Sequence, residues 1–212
     1  MKVYHITGGM MPESYMYSNW FEAMDGDPDK IRISDPTPDG GSLIMPTSLN
    51  AGRPILPDFV PTKLRRRGPG IKQQPLLDVN SWRYGTLLVP QVFKDILEEL
   101  EPGVHQFFPM EYYQKDEKIG EGYWFIFGQR LDTLHDTACE PGRDERGFLI
   151  TSGPDGKRVK SRAVLSAKKI DGAHAWVDKF LGGGARLISG EFGDRLKAQN
   201  LTGITYDLVS VE

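Results

Sequence analysis

Cysteine is nearly missing from this chain of 212 residues: Cys139 stands alone. That excludes an internal disulfide framework and suits a reducing cytosol. Neither sign of charge dominates. With 26 Lys and Arg against 29 Asp and Glu the formal net charge is −3, too mild to imply nucleic acid or an anionic membrane as the main partner. No apolar run approaches the length of a membrane span. The opening Met1-Lys2-Val3-Tyr4-His5-Ile6 is too short and too polar for a signal peptide. These lacks predict a soluble cytoplasmic protein with no membrane partner.

Ready-made chemistry is also scarce. His5, His105, His135 and His174 are scattered, and His135 with Cys139 supplies at most two metal ligands, so no metal is expected. Gly182-Gly183-Gly184 lacks the Gly-x-Gly-x-x-Gly spacing and no Gly-Lys-Ser/Thr follows, so it reads as a linker rather than a phosphate cradle. No cofactor is implied. The one candidate nucleophile is Cys139, with His135 four residues upstream and Asp136 beside it. Catalytic Cys–His pairs are usually assembled from distant segments, and no motif surrounds this thiol. An ordinary cysteine closing a turn or helix is the weightier reading; a hydrolase centred on Cys139 and His135 is the alternative.

What the chain does have is a repeated pattern. Leu87-Leu88-Val89 and Leu187-Ile188-Ser189 each open a strand–helix–strand unit, 87–110 and 187–210, and a register of 100 residues aligns Leu88 with Ile188 and Gly103 with Gly203. In the first copy Val92, Phe93, Ile96, Leu97 and Leu100 form one apolar helical face. Pro90 suits the helix start, Pro102-Gly103 its stop, and Glu98, Glu99 and Glu101 its wet side. In the second copy Ser189 is placed to cap, Phe192 and Leu196 to face inward, and Asn200 to Gly203 to end the helix. Further strands are expected at Lys2 to Ile6 and Glu121 to Phe127, with Phe148 to Thr151 pairing with Arg162 to Leu165. The stretch from Ala173 to Leu181 fits either a helical stripe or a short strand.

The first third is different. Turn signals and prolines dominate residues 25–70, leaving room only for short edge strands such as Ile31 to Ser34 or Ser42 to Met45. A short helix is expected around Trp20, Phe21 and Met24. The dense basic run Lys63-Leu64-Arg65-Arg66-Arg67 reads as a loop beside Gly68-Pro69-Gly70, able to grip phosphate or an acidic partner. No aromatic residues are interleaved for base stacking, which argues against nucleic acid. Strands outnumber helices without regular alternation. The predicted class is α+β with mixed or antiparallel sheets, the two similar units, and a long irregular N-terminal third. The chain is read as one domain, 1–212, with two sub-lobes, 1–120 and 121–212, as the variant that the repeat suggests.

At the second unit the chain resembles a known family. Gly172-Ala173-His174-Ala175-Trp176 leads to Ile188-Ser189, then Phe192-Gly193-Asp194-Arg195-Leu196, then Leu201-Thr202-Gly203. This is similar to the closing signature of bacterial immunity protein family eleven, once a domain of unknown function. Looser matches follow in order upstream, including Tyr123-Trp124-Phe125 and Arg130-Leu131-Asp132; members often carry Ser where Pro90 or Val89 stands, and Arg where Val177 stands. The resemblance implies a strand at His174 to Phe180. It makes His174, Trp176, Ser189, Leu196 and Gly203 structural signature residues and brings no catalytic ones. It implies a protein that binds and blocks a cognate polymorphic toxin or type VI effector in the producing cell. A toxin-modifying enzyme at Cys139 and His135 is the competing reading. Recognition is expected on loops of the first third, at Arg65, Arg66, Arg67, Trp20 and Phe21. Self-association is left open.

Overall fold

The computed structural model describes residues 1–9, 21–40, 44–67, 75–182 and 184–212. The strands are β1 (Val3–Gly8), β2 (Phe21–Ala23), β3 (Lys63–Arg66), β4 (Asn80–Ser81), β5 (Leu87–Val89), β6 (Gln106–Gln114), β7 (Glu117–Ile126), β8 (Arg130–Leu131), β9 (Val164–Leu165), β10 (Ala175–Asp178), β11 (Arg186–Ser189) and β12 (Ile204–Val211). The helices are α1 (Gln91–Leu100), α2 (Ala167–Ile170) and α3 (Gly190–Lys197). They form an α+β fold. One sheet has the order β2-β3-β6-β7-β5-β4 and the other β8-β10-β11-β1-β12-β9. The first draws on residues 21–126 alone. The second joins residues 130–211 to the N-terminal β1, and residues 120 and 121 both lie inside β7.

The two strand–helix–strand units share a topology. β5 and β6 are both antiparallel to β7, which lies between them. β11 and β12 are likewise antiparallel to β1 and flank it. Each unit is therefore a split β-α-β, with the intervening strand supplied from outside the unit. Phe93 and Leu97 on α1, and Phe192 and Leu196 on α3, are fully buried in one central core. The Phe93 and Phe192 rings meet edge to face at 5.1 Å. This core draws side chains from both sheets and both helices.

The structural register is 99 residues, not 100 (192 − 93 = 99). It matches Pro90 with Ser189 as helix caps and Val89 with Ile188 as core strand residues. Both of those strand residues face a tyrosine, Tyr123 on β7 and Tyr4 on β1. Under the 100-residue alignment Leu88 falls on Ile188. Leu88 instead packs with Trp82 and Trp124 in a separate core, while Ile188 faces the central one. Side chains alternate along a strand, so a slip of one residue exchanges the faces.

Three local expectations are corrected, and one left between two forms is resolved. Lys63–Arg66 is an interior strand between β2 and β6 rather than a loop. No proline interrupts it, Leu64 is fully buried, and the long stems of the arginines let their charged heads reach polar partners from a sheet. Phe21–Ala23 is a strand rather than a helix, because β3 offers it a backbone ladder; Trp20 and the residues before it down to Met10 lie outside the described residues. Leu149 pairs with Arg143, whereas Arg162 pairs with Glu140 and β9 runs parallel to β12. Phe148 to Thr151 therefore does not pair with Arg162 to Leu165. Finally, Ala175–Asp178 is a strand, as the family resemblance implied; the helical stripe loses because β11 and β8 satisfy its backbone on both sides. Within residues 31–45, the described part of both expected edge strands forms only the Ile33–Ile55 bridge.

Candidate functional site

Paired residues in neighbouring strands share a face. One face of the first sheet packs under α1 through Leu87, Val89 and Phe125, and continues beyond the helix as an open polar surface. Lys63 lies beside Glu111, and Arg65 beside Tyr113 and Glu22. Arg65 Nε donates to the Lys115 carbonyl at 3.1 Å, and its guanidinium pairs with Asp116 at 3.4 Å. Arg67 Nε lies 2.5 Å from a Glu22 oxygen. Lys118 donates to Glu111 at 2.8 Å and to Glu121 at 3.1 Å, and the Tyr113 hydroxyl donates to Glu111 at 2.7 Å. Lys118 first, and then Tyr113, hold the Glu111 carboxyl below the usual carboxylate range. A cleft of about 590 Å³ opens here, lined by Thr62, Lys63, Gln91, Glu111, Glu121 and Tyr123.

The other expected contact residues separate. Arg66 points to the opposite face and donates to the Pro75 carbonyl at 3.2 Å. Phe21 is a core residue whose ring packs on Tyr112 at 5.5 Å, so it cannot be an exposed contact without unfolding the edge of the sheet. Of the five residues expected at the interface, Arg65 and Arg67 share the open face.

Cys139 and His135 do not form a nucleophile–base pair. The thiol is buried, 5% exposed, and its sulfur lies 3.4 Å from the Val164 carbonyl and 3.5 Å from the Val164 N–H. Its contact with His135 is to the backbone carbonyl. The His135 ring is occupied elsewhere, Nδ1 accepting from the N–H groups of Thr137 and Ala138. Among the described residues no group of three His, Cys, Asp or Glu side chains is placed to hold a metal ion, and no helix is long and apolar enough to cross a membrane.

The signature residues hold the scaffold. Ser189 Oγ caps α3 by accepting from the Phe192 N–H at 3.1 Å and lies 2.9 Å from His174 Nδ1. Trp176 is fully buried and donates to Thr133 Oγ1 at 3.2 Å. Leu196 is fully buried. Gly203 has φ +82°, and a Cβ there would meet the Val79 carbonyl oxygen at 2.2 Å.

Two features escape the sequence reading. Glu101 lies not on the wet side of α1 but at its buried C-terminus. Its carboxylate accepts from Gln129 Nε2 at 2.7 Å, His105 Nε2 at 2.8 Å, and the His174 and Ala175 N–H groups at 2.9 Å each. The Gly128 N–H donates to His105 Nδ1, so the ring carries its proton on Nε2 toward Glu101. Burial alone would raise the Glu101 pKa; the bonds from His105, His174 and Gln129 together outweigh it and hold the carboxyl below its ordinary value. Nothing in the sequence marks this glutamate, because its donors come from distant segments. The second was missed although its signal is plain in the residue order: Lys157-Arg158-Val159-Lys160-Ser161-Arg162 puts four cations in six residues, all six exposed.

Residues 52–211 match the model of the Immunity protein family (Imm11). The match spans most of the chain, from the loop before β3 through β12, and the chain belongs to this family. Its class is thus that of a toxin-neutralising immunity protein. No match was found among curated proteins.

Proposed function

We propose that the protein binds a cognate secreted toxin, of the polymorphic or type VI kind, in the cytoplasm of the producing cell and blocks it by steric cover. The observation that carries this reading is membership of the immunity family over residues 52–211. The buried, backbone-bound thiol of Cys139 supports binding over catalysis. The whole chain, 1–212, acts as one binding unit in this reading. Its contact surface includes the open sheet face bearing Lys63, Arg65 and Arg67. There a rigid sheet presents mixed charge to the partner, a pattern that favours steering and register over raw affinity.

The test is co-expression with the toxin domain encoded beside the gene. Wild type is expected to protect the cells, and the double variant Arg65→Glu, Arg67→Glu to protect less while keeping its thermal transition. Arg66→Glu serves as the control that faces away. Full protection by the double variant removes this face from the interface.

A further inference from the structure

The turn from Leu56 to Val60 combines three features that core packing does not explain. Phe59 has φ +67°, in the left-handed region that bulky side chains avoid. Phe59 is 50% exposed and Leu56 43% exposed, and neither belongs to any of the three buried cores. The Val60 N–H closes the turn on the Pro57 carbonyl at 3.3 Å, which puts Phe59 at the position where glycine is normally found.

The surroundings hold this strained turn rigidly. Gln106 binds the Ile55 backbone twice, its Oε1 accepting from the Ile55 N–H at 2.7 Å and its Nε2 donating to the carbonyl at 3.1 Å. The Leu56 N–H donates to the Arg32 carbonyl at 2.8 Å, and the Phe59 carbonyl accepts from the Asp27 N–H at 2.8 Å. Pro54, Pro57 and Pro61 restrict the rest. Glycine at 59 would remove the strain, so the aromatic ring persists at a conformational cost that no core rewards and that only a surface contact offsets, the Lys30 ammonium 5.6 Å from the ring centroid.

We infer that Leu56 and Phe59 form a preorganised apolar knob that inserts into a hydrophobic pocket of the toxin domain, one with a cation on its rim. Asp58 stands between the two apolar side chains and makes no ion pair among the described residues, so it supplies the charge that complements this rim. Exposed aromatic anchors on rigid loops are where binding energy concentrates, because little ordering entropy is lost on docking. The inference rests on the toxin-binding reading above and adds the anchor and the chemistry of its pocket.

The test measures binding of the purified protein to the toxin domain encoded beside the gene, with Phe59→Gly and Leu56→Ser as variants. Phe59→Gly is expected to keep or raise the thermal midpoint, since it relieves the backbone, and to weaken affinity by about thirtyfold or more. Leu56→Ser is expected to weaken it less. Wild-type binding with Phe59→Gly within about twofold of it would overturn the anchor and leave the toxin-binding reading intact. A sharp fall in the Phe59→Gly midpoint would overturn it too, by showing that the ring is structural. Failure of the wild type to bind would sink both.

Discussion

The two split β-α-β units reach the same arrangement by different means. In the unit around α1 the intervening strand β7 follows directly in the chain, and the cap position holds Pro90, with no side-chain bond. In the unit around α3 the intervening strand is β1, from the far end of the chain, and Ser189 caps the helix. The tyrosines facing the helices show the same divergence. Tyr4 donates directly to Asp194 at 2.8 Å, whereas Tyr123 donates to Gln91, which donates in turn to Asp95 at 2.6 Å. Asp95 and Asp194 occupy equivalent places in the 99-residue register. In the second unit Tyr4 closes on Gly193, where a Cβ would meet the ring at 2.5 Å.

The strongest challenge to this equivalence is at the shared aromatic pair. Phe93→Ala and Phe192→Ala should each cost about 3–5 kcal/mol by chemical denaturation, and the double variant less than their sum, because the rings touch. A large loss in one and none in the other would break the comparison.

Glu101 ties the end of α1 to β10, next to the second unit. Glu101→Gln should cost about 2–4 kcal/mol, since it sets an amide among donors already aimed at a carboxylate. The folded pKa is depressed, so the stabilisation is complete above the unfolded carboxylate value and is lost as pH falls through the folded one. The gap between wild type and variant should therefore narrow on acidification. A gap independent of pH would show that the ionised form is not what matters.

The smallest effect sharpens the contrast at the caps. Ser189→Ala should cost about 1 kcal/mol, while Pro90→Ala should cost less, having no cap bond to lose. Equal losses at both positions would remove the distinction.

Much of the scaffold was readable as residues. The i, i+4 pairs Phe93/Leu97 and Phe192/Leu196 and the Ser189 cap depend on short-range periodicity and capping chemistry; the helix end was placed too late, since α3 stops at Lys197 with Ala198 as its C-cap, ahead of Gly203. The register was off by one, because apolar residues fill both faces of β5, and Leu87 and Leu88 look alike when each side is buried. β3 was hidden by its charges: three long cationic side chains around one leucine resemble a loop until the sheet shows where their heads can go. The candidate contacts were half legible. Composition marks Arg65 and Arg67, but the turning away of Arg66, the exposure of Phe59 and the burial of Phe21 depend on neighbours far along the chain.

The amino-acid order alone determined the class, the two repeated units and the family, since these rest on patterns a few residues long. The tertiary structure decided the facing of each strand, the burial of Glu101, the burial of Cys139 against the Val164 backbone and the turn that holds Phe59 outward. Each of these depends on contacts between distant segments, such as β1 with β11 and β12, or Glu101 with His174, whose partners no local pattern specifies.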